Sequence, residues 1–278
     1  MEPTADILGE RILKALTEEF SAEQNFPTSL DAAMLIRDTL KDPETTLEKA
    51  AQAVSMEPLV AAKVIRLSNS VVFNRSGQTI SDITTAVSRL GFEMVRTLAL
   101  AVALDQMLQG TLCNTYSQYS QQAWERAIQT AAIARVLARR IGRINPDEAL
   151  LAGIVSQIGV FYILYRTESE SACRDNPKLL FDLIRQWHPR VGDAVLARLE
   201  IPQAIREALA PSPATACHVT PNTLHDLILI ADMLNNAVCA WLDPAAEDSR
   251  LPDERKRFAD LIADAEEDIL DVYMSLNA

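Results

Sequence analysis

The chain has 278 residues, 49 % of them apolar, with only 8 glycines, 5 % aromatics and a formal net charge of −12. That length can bury a substantial core in one large domain or two small ones. Scarce glycine, few β-branched runs and long apolar stripes exclude a sheet protein, and the acidic balance repels phosphate backbones.

The pattern reads as all-α, with about twelve helices. Residues 5–20 form an amphipathic helix, with Ile7, Leu8, Ile12, Leu13, Leu16 and Phe20 at helical spacing. Phe26-Pro27-Thr28-Ser29 breaks it and starts a second helix that ends near Leu40, before Asp42-Pro43. Thr46 caps a helix over 47–54, and Glu57-Pro58 opens one over 59–69 with proline in its first turn. A loop over 70–79, marked by Asn74 and Ser76-Gly77, leads to Ser81 as the cap of a helix over 82–90. Gly91 stands where a left-handed C-terminal cap is expected, and a strongly apolar helix follows over 92–108.

The polar stretch over 109–122 is the best internal boundary. Beyond it helices are expected over 123–141, 146–165, 177–187, 189–199, 202–209, 223–241 and 253–276. Asn145-Pro146-Asp147-Glu148 supplies a cap, a first-turn proline and an acid at the third position. The longest uncharged stretch, 149–165, contains Ser156, Gln157 and two glycines and falls short of the roughly 20 apolar residues a bilayer requires. It is expected to be a buried core helix. No basic and apolar leader opens the chain, so no signal peptide and a cytoplasmic location are expected.

Cysteines 113, 173, 217 and 239 show neither CxxC pairing nor a close histidine and read as reduced, mostly buried thiols. The basic clusters Arg135, Arg139, Arg140, Arg143 and Arg255-Lys256-Arg257 lie among acids without interleaved aromatics, so no nucleic-acid partner is expected. There is no Gly-rich phosphate loop, GxSxG or HExxH, and Glu266-Glu267-Asp268 reads as a solvated helix face.

Three stretches carry a family resemblance. The first is Glu57-Pro58 with Arg66-Leu67-Ser68-Asn69-Ser70 and, later, Ala86-Val87-Ser88-Arg89-Leu90-Gly91. The second is Trp124-Glu125-Arg126-Ala127 with Leu150-Leu151-Ala152-Gly153-Ile154 leading into Ser156-Gln157-Ile158-Gly159. The third runs from His188-Pro189-Arg190-Val191-Gly192-Asp193 to Ile201-Pro202. Together, over about 20–215, they resemble the HDOD domain, the HD-related output domain of bacterial signalling proteins. The resemblance implies an N-terminal helix over 1–19 and an HDOD domain over 20–215. Within the domain, a helical subdomain over 20–108 would pack on an HD-like core over 120–215. Helices over 216–278 would pack on that core.

HD phosphohydrolases resemble one another in a series of histidines and aspartates around one or two metals. Matched to that pattern, the first His falls at Arg126, the His-Asp pair at Ser156-Gln157, and a lysine at Val160. A further His matches His188, a His-His pair falls near Ala210-Pro211, and the distal Asp matches Asp232. A divalent metal needs three or four O or N ligands and a water. Arg126 would repel the cation, and Ser156 and Gln157 are weak neutral ligands. The resemblance therefore implies vestigial metal positions, no catalytic residue and no cofactor. Pro58, Arg66, Asn69, Ser70, Leu90 and Gly91 form a family motif that reads mainly as architecture, with Arg66 and Asn69 as the ligand-binding alternative. His225-Asp226 reads as a capping or surface dipeptide, and His218 lies outside the pattern.

The expectation is a non-catalytic regulatory module that binds signalling proteins on separate chains, with no membrane partner. Two alternatives stay open. One is a divergent metal-dependent phosphohydrolase acting on a nucleotide. The other is a sensor of a small anionic ligand in a cleft of Arg126, His188 and Asp232. There Arg126 can grip a phosphate or carboxylate, or pair with Asp232 as a buried structural ion pair. The last helix can cover the domain or pair with another subunit as a homodimer.

Overall fold

A computed structural model describes residues 4–21, 28–74, 77–109, 115–211, 221–242, 256, 258–260 and 262–277. Among them every regular element is helical and no strand occurs, so the fold is all-α. The helices are α1 (Ala5–Ser21), α2 (Thr28–Lys41), α3 (Leu47–Ser55), α4 (Pro58–Asn69), α5 (Ile83–Leu90), α6 (Phe92–Gln109), α7 (Ser117–Ile141) and α8 (Pro146–Val155). They continue with α9 (Ile158–Thr167), α10 (Ser171–Asp175), α11 (Pro177–Arg198), α12 (Gln203–Ala208), α13 (Leu224–Leu234) and α14 (Glu266–Asn277).

The helices form two compact units. The larger joins Met1–Asn25 with Leu108–Asp264, and the smaller joins Phe26–Met107 with Ala265–Ala278. The contiguous blocks expected from sequence differ from this at both ends: α1 packs on α11, and α14 packs on α4.

In the smaller unit α3, α4 and α5 pack on one another around Val54, Val64, Leu67, Ala86 and Val87. Thr46 Oγ1 accepts from the Lys49 amide 3.3 Å away and starts α3. At α5 the cap is Asp82, not Ser81. Asp82 is extended (φ −115°, ψ 145°), and its Oδ1 accepts from the Thr85 amide at 2.7 Å. Gly91 does have a positive φ of 80°, but its ψ of 160° is extended rather than left-handed helical, so the chain enters α6 directly. The last helix is held by the Lys63 ammonium, which donates to the Leu276 carbonyl, and by Asp271 Oδ2, which accepts from the Val72 amide at 3.3 Å.

In the larger unit α7 packs on α8, α9 on α11, and α13 on both α7 and α8. Two glycines permit close approaches of backbone to backbone. A Cβ on Gly153 would lie 2.3 Å from Ala131 Cα, and one on Gly159 would lie 2.0 Å from the His188 carbonyl oxygen. Five expected elements differ in the structure. α7 begins at Ser117, because glutamine and serine on an exposed first turn do not break a helix. The expected helix 146–165 is interrupted at Ser156-Gln157, where Gln157 (φ −99°, ψ 9°) leaves helical geometry. The expected pair 177–187 and 189–199 is one helix with Pro189 inside it. An interior proline costs about 3 kcal/mol, which burial of Leu180, Leu183, Ile184, Val191 and Val195 offsets. α13 stops at Leu234 instead of running to 241, and a 3₁₀ turn, Ala263–Ala265, interrupts the last expected helix.

Pro146–Thr167 is long and apolar enough to cross a membrane by length and composition, contrary to the shorter stretch read from sequence. Yet 78 % of that window is buried within the protein.

Candidate functional site

The site lies in the larger unit, where α7, α11 and α13 converge through side chains far apart in sequence. A capping box sets the start of α13. Thr223 Oγ1 accepts from the Asp226 amide at 3.1 Å, and Asp226 Oδ2 accepts from the Thr223 amide at 3.0 Å. His225 Nδ1 lies 2.9 Å from the Ala208 carbonyl, tying the same turn to α12.

Two turns later Asp232 meets Arg126 of α7, with Arg126 Nη2 2.8 Å from Asp232 Oδ1. Arg126 is 2 % exposed. Its Nη1 also donates to the Ala237 carbonyl at 3.2 Å. Asn235 completes the enclosure. Its Nδ2 donates to the Arg126 carbonyl and to Thr130 Oγ1, both at 2.8 Å, and its Oδ1 accepts from the Ala237 amide at 2.7 Å. These bonds turn the chain out of α13 and wrap it around Arg126.

His188 sits on α11 just before Pro189 and is partly buried. Burial is the main cause that pulls its pKa down to about 4; Asp232 acts in the opposite direction and Arg126 in the same one. Its imidazole is therefore neutral near pH 7. No hydrogen bond to its ring occurs among the described residues. Ser156 and His188 both line one open cavity of about 780 Å³, with Ala210 and Pro211 at its edge. Ser156 Oγ is enclosed and lacks a hydrogen-bond partner, and Gln157 is buried. Val160 is wholly buried where the family pattern has a lysine.

This donor set does not fit a catalytic divalent metal. Arg126 is a cation, Asp232 is committed to it, and Ser156 and Gln157 are neutral, which leaves His188 as the single good ligand. Among the described residues no group of three His, Cys, Asp or Glu side chains is disposed to hold a metal.

The family-motif residues lie in the smaller unit and act on the backbone. Pro58 is in the first turn of α4. Asn69 Nδ2 donates to the Ile65 carbonyl at 2.9 Å and to the Ile80 carbonyl at 2.7 Å, while its Oδ1 accepts from the Ile80 amide at 2.7 Å. Leu90 is buried, and Ser70 Oγ is buried without a partner. Arg66 is exposed, with no hydrogen bond or ion pair among the described residues. Cys173 and Cys239 are buried thiols in no disulfide, while Cys113, Cys217 and His218 lie outside the described residues.

The sequence reading missed Asn235, whose one signal is a short amide residue ending the apolar run of α13. It also missed the ion pair between Arg206 and Asp193, at 2.8 Å from Nε to Oδ1 and 3.1 Å from Nη2 to Oδ2.

No curated protein matches the chain. Among solved structures, it is similar to a provisionally assigned metal-dependent phosphohydrolase of Shewanella amazonensis SB2B. That likeness has 22 % identity and a TM-score of 0.69, over 97 % of this chain and 98 % of that one. It is similar to an HDOD domain protein of unknown function from Geobacter sulfurreducens, at 20 % identity and TM-score 0.63, over 96 % and 98 % of the two chains. A provisionally assigned signal transduction protein of Marinobacter aquaeolei VT8 matches at 18 % identity and TM-score 0.54, over 89 % of this chain and 59 % of that one. At these identities the likeness shows a shared fold. The HDOD domain family matches residues 26–213, more than half of the chain, and the protein belongs to that family.

Proposed function

We propose that this HDOD protein is a non-catalytic signal-transduction module of the bacterial cytoplasm that binds separate signalling proteins through its helical surface. One observation carries the reading: the position of the first metal ligand is held by Arg126, sealed against Asp232, Ala237 and the Asn235 turn. An arrangement of this kind spends the retained carboxylate on an internal cation and leaves no anionic ligand for a metal. The fold shared with a provisionally assigned signal transduction protein supports the regulatory half of the reading. Leu270 and Met274, one turn apart on α14 and 58 % and 49 % exposed, support a binding role for that helix.

The test combines metal content with partner capture. Protein purified without chelator is expected to carry less than about one-tenth equivalent of Fe, Mn, Zn or Ni. Affinity capture from the native cell is expected to recover signalling proteins, with lower recovery by the Leu270→Glu/Met274→Glu variant. Stoichiometric metal together with nucleotide hydrolysis overturns the proposal and restores the phosphohydrolase alternative.

A further inference from the structure

The cavity of about 780 Å³ in the larger unit has a composition unlike that of a phosphate or metal site. Neither Arg126 nor Asp232 lines it, so the buried ion pair is not offered to a ligand there. Its ionisable lining consists of His188, Arg190, Asp193, Arg206 and Glu207. Two arginines oppose two carboxylates, and each charged group already has company. Arg206 forks onto Asp193, Glu207 Oε1 accepts from Gln203 Nε2 at 2.6 Å, and the Arg190 guanidinium lies over the Trp187 ring, 4.8 Å from its centre. The cavity thus has no net formal charge with which to hold an ion.

What it does offer is an apolar wall and, besides the enclosed Ser156 Oγ, the unspent hydrogen-bonding groups of His188. Val155, Ile158, Pro189, Leu196 and Leu209 supply the wall. His188 lines the cavity, and its imidazole has one N–H donor and one ring-nitrogen acceptor, neither bonded to a described residue. A polar edge in such surroundings costs free energy until it is paired. Pockets of about 300–1,000 Å³ with mostly apolar walls and a few convergent polar groups are typical of small-molecule sites.

We propose that this cavity binds an uncharged small molecule with a ring-sized apolar body and an amide group that hydrogen-bonds to one ring nitrogen of His188. Carboxamides and lactam-type heterocycles are the class. This site is separate from the protein-binding surface proposed above and does not depend on it.

Three probes of one shape and different charge test the proposal on the full chain: benzamide, benzoate and benzamidine. The chain has 3 histidines. The His188 ring signal in an ¹⁵N-histidine spectrum can therefore be assigned with the variants His218→Gln and His225→Gln, which leave His188 in place. Benzamide is expected to shift that signal saturably at millimolar concentration and to raise Tm. Benzoate and benzamidine are expected to bind at least about ten-fold more weakly, because each brings a charge into a cavity whose own charges are already balanced. Equal or tighter binding of either ion overturns the proposal. So does an unmoved His188 signal at about 10 mM benzamide, a concentration adequate for a fragment of this size.

Discussion

Arg126 and Asp232 are 106 positions apart in the chain and 2.8 Å apart in the fold, but they are not equally buried: the side chains are 3 % and 30 % exposed. The asymmetry matters because a stranded charge costs more the less water it can recruit. Asp232 can rehydrate when left alone. Arg126 is far less able to, although the Ala237 carbonyl still accepts from it.

Removing each partner in turn should expose that difference. Asp232→Ala strands a buried guanidinium and is expected to cost about 3–5 kcal/mol. Arg126→Met leaves the partly exposed carboxylate and should cost about 1–2 kcal/mol. The double variant should lie close to Arg126→Met rather than at the sum, since the pair acts as a unit. All three tryptophans, Trp124, Trp187 and Trp241, belong to the larger unit, so denaturant unfolding followed by tryptophan fluorescence reads it directly. Equal costs for the two single changes would show that the burial asymmetry does not govern the pair.

His188 makes the larger unit sensitive to acid. Its pKa is lowered from 6.5 to about 4, chiefly by burial, so the unfolded chain takes up its proton first as pH falls. Stability from the neutral imidazole is therefore fully present above about pH 6.5 and is lost progressively towards pH 4. The integrated loss is about 3 kcal/mol. His188→Gln cannot titrate and should lack this component. Stability curves at pH 7, 5.5 and 4 for both proteins check it: parallel curves would mean that the imidazole is not held neutral.

Asn69 is a three-bond clamp between the end of α4 and the loop residue Ile80. Asn69→Ala should destabilise the smaller unit by about 2–3 kcal/mol, a sum of part-buried hydrogen bonds. Asn69→Asp should be worse, since it sets a carboxylate against two carbonyl oxygens. The sharpest readout is amide hydrogen exchange at Ile80, whose N–H is bonded to Asn69 Oδ1 and should lose protection in both variants. Unchanged exchange there would mean that another group holds the loop.

Elements with their own start or stop signals were legible before the fold was known. Thr46, Glu57-Pro58 and Asn145-Pro146 act within a turn or two, so the residues that decide them are adjacent. The misreadings arise where a distant partner overrides a local signal. Pro189 reads as a helix break, but packing of α11 on α1 and α9 carries the helix through it. The run over 223–241 reads as one helix, but Asn235 bonds α7 across a separation of more than 100 residues and ends α13 early. Family pattern could group Arg126, His188 and Asp232 as a set. It had no means of showing that Arg126 is sealed, or that the cavity beside His188 is rimmed by Asp193 and Arg206, because both depend on how α11, α12 and α13 meet.

The crossing of α9 on α11 beside that meeting point rests on Gly159, and it gives the most demanding test of the fold around the cavity. A Cβ there would lie 2.0 Å from the His188 carbonyl oxygen and 2.9 Å from the Gly192 amide nitrogen, both backbone atoms that cannot swing away. Gly192 faces the same crossing, yet a Cβ on it meets Gly159 at 3.4 Å and Ile158 Cγ2 at 3.7 Å, which is ordinary contact. Gly159→Ala must therefore push α9 off α11 and should cost about 3 kcal/mol or more. Gly192→Ala should stay within about 1 kcal/mol, because the loss of fit is offset by alanine's better helix propensity. Since His188 and Pro189 lie at the point of pressure, Gly159→Ala should also perturb the His188 ring signal, whereas Gly192→Ala should leave it close to wild type. Tryptophan-monitored unfolding and the histidine spectrum together decide the matter: equal effects of the two substitutions would show that α9 and α11 do not cross as closely as the Gly159–His188 approach requires.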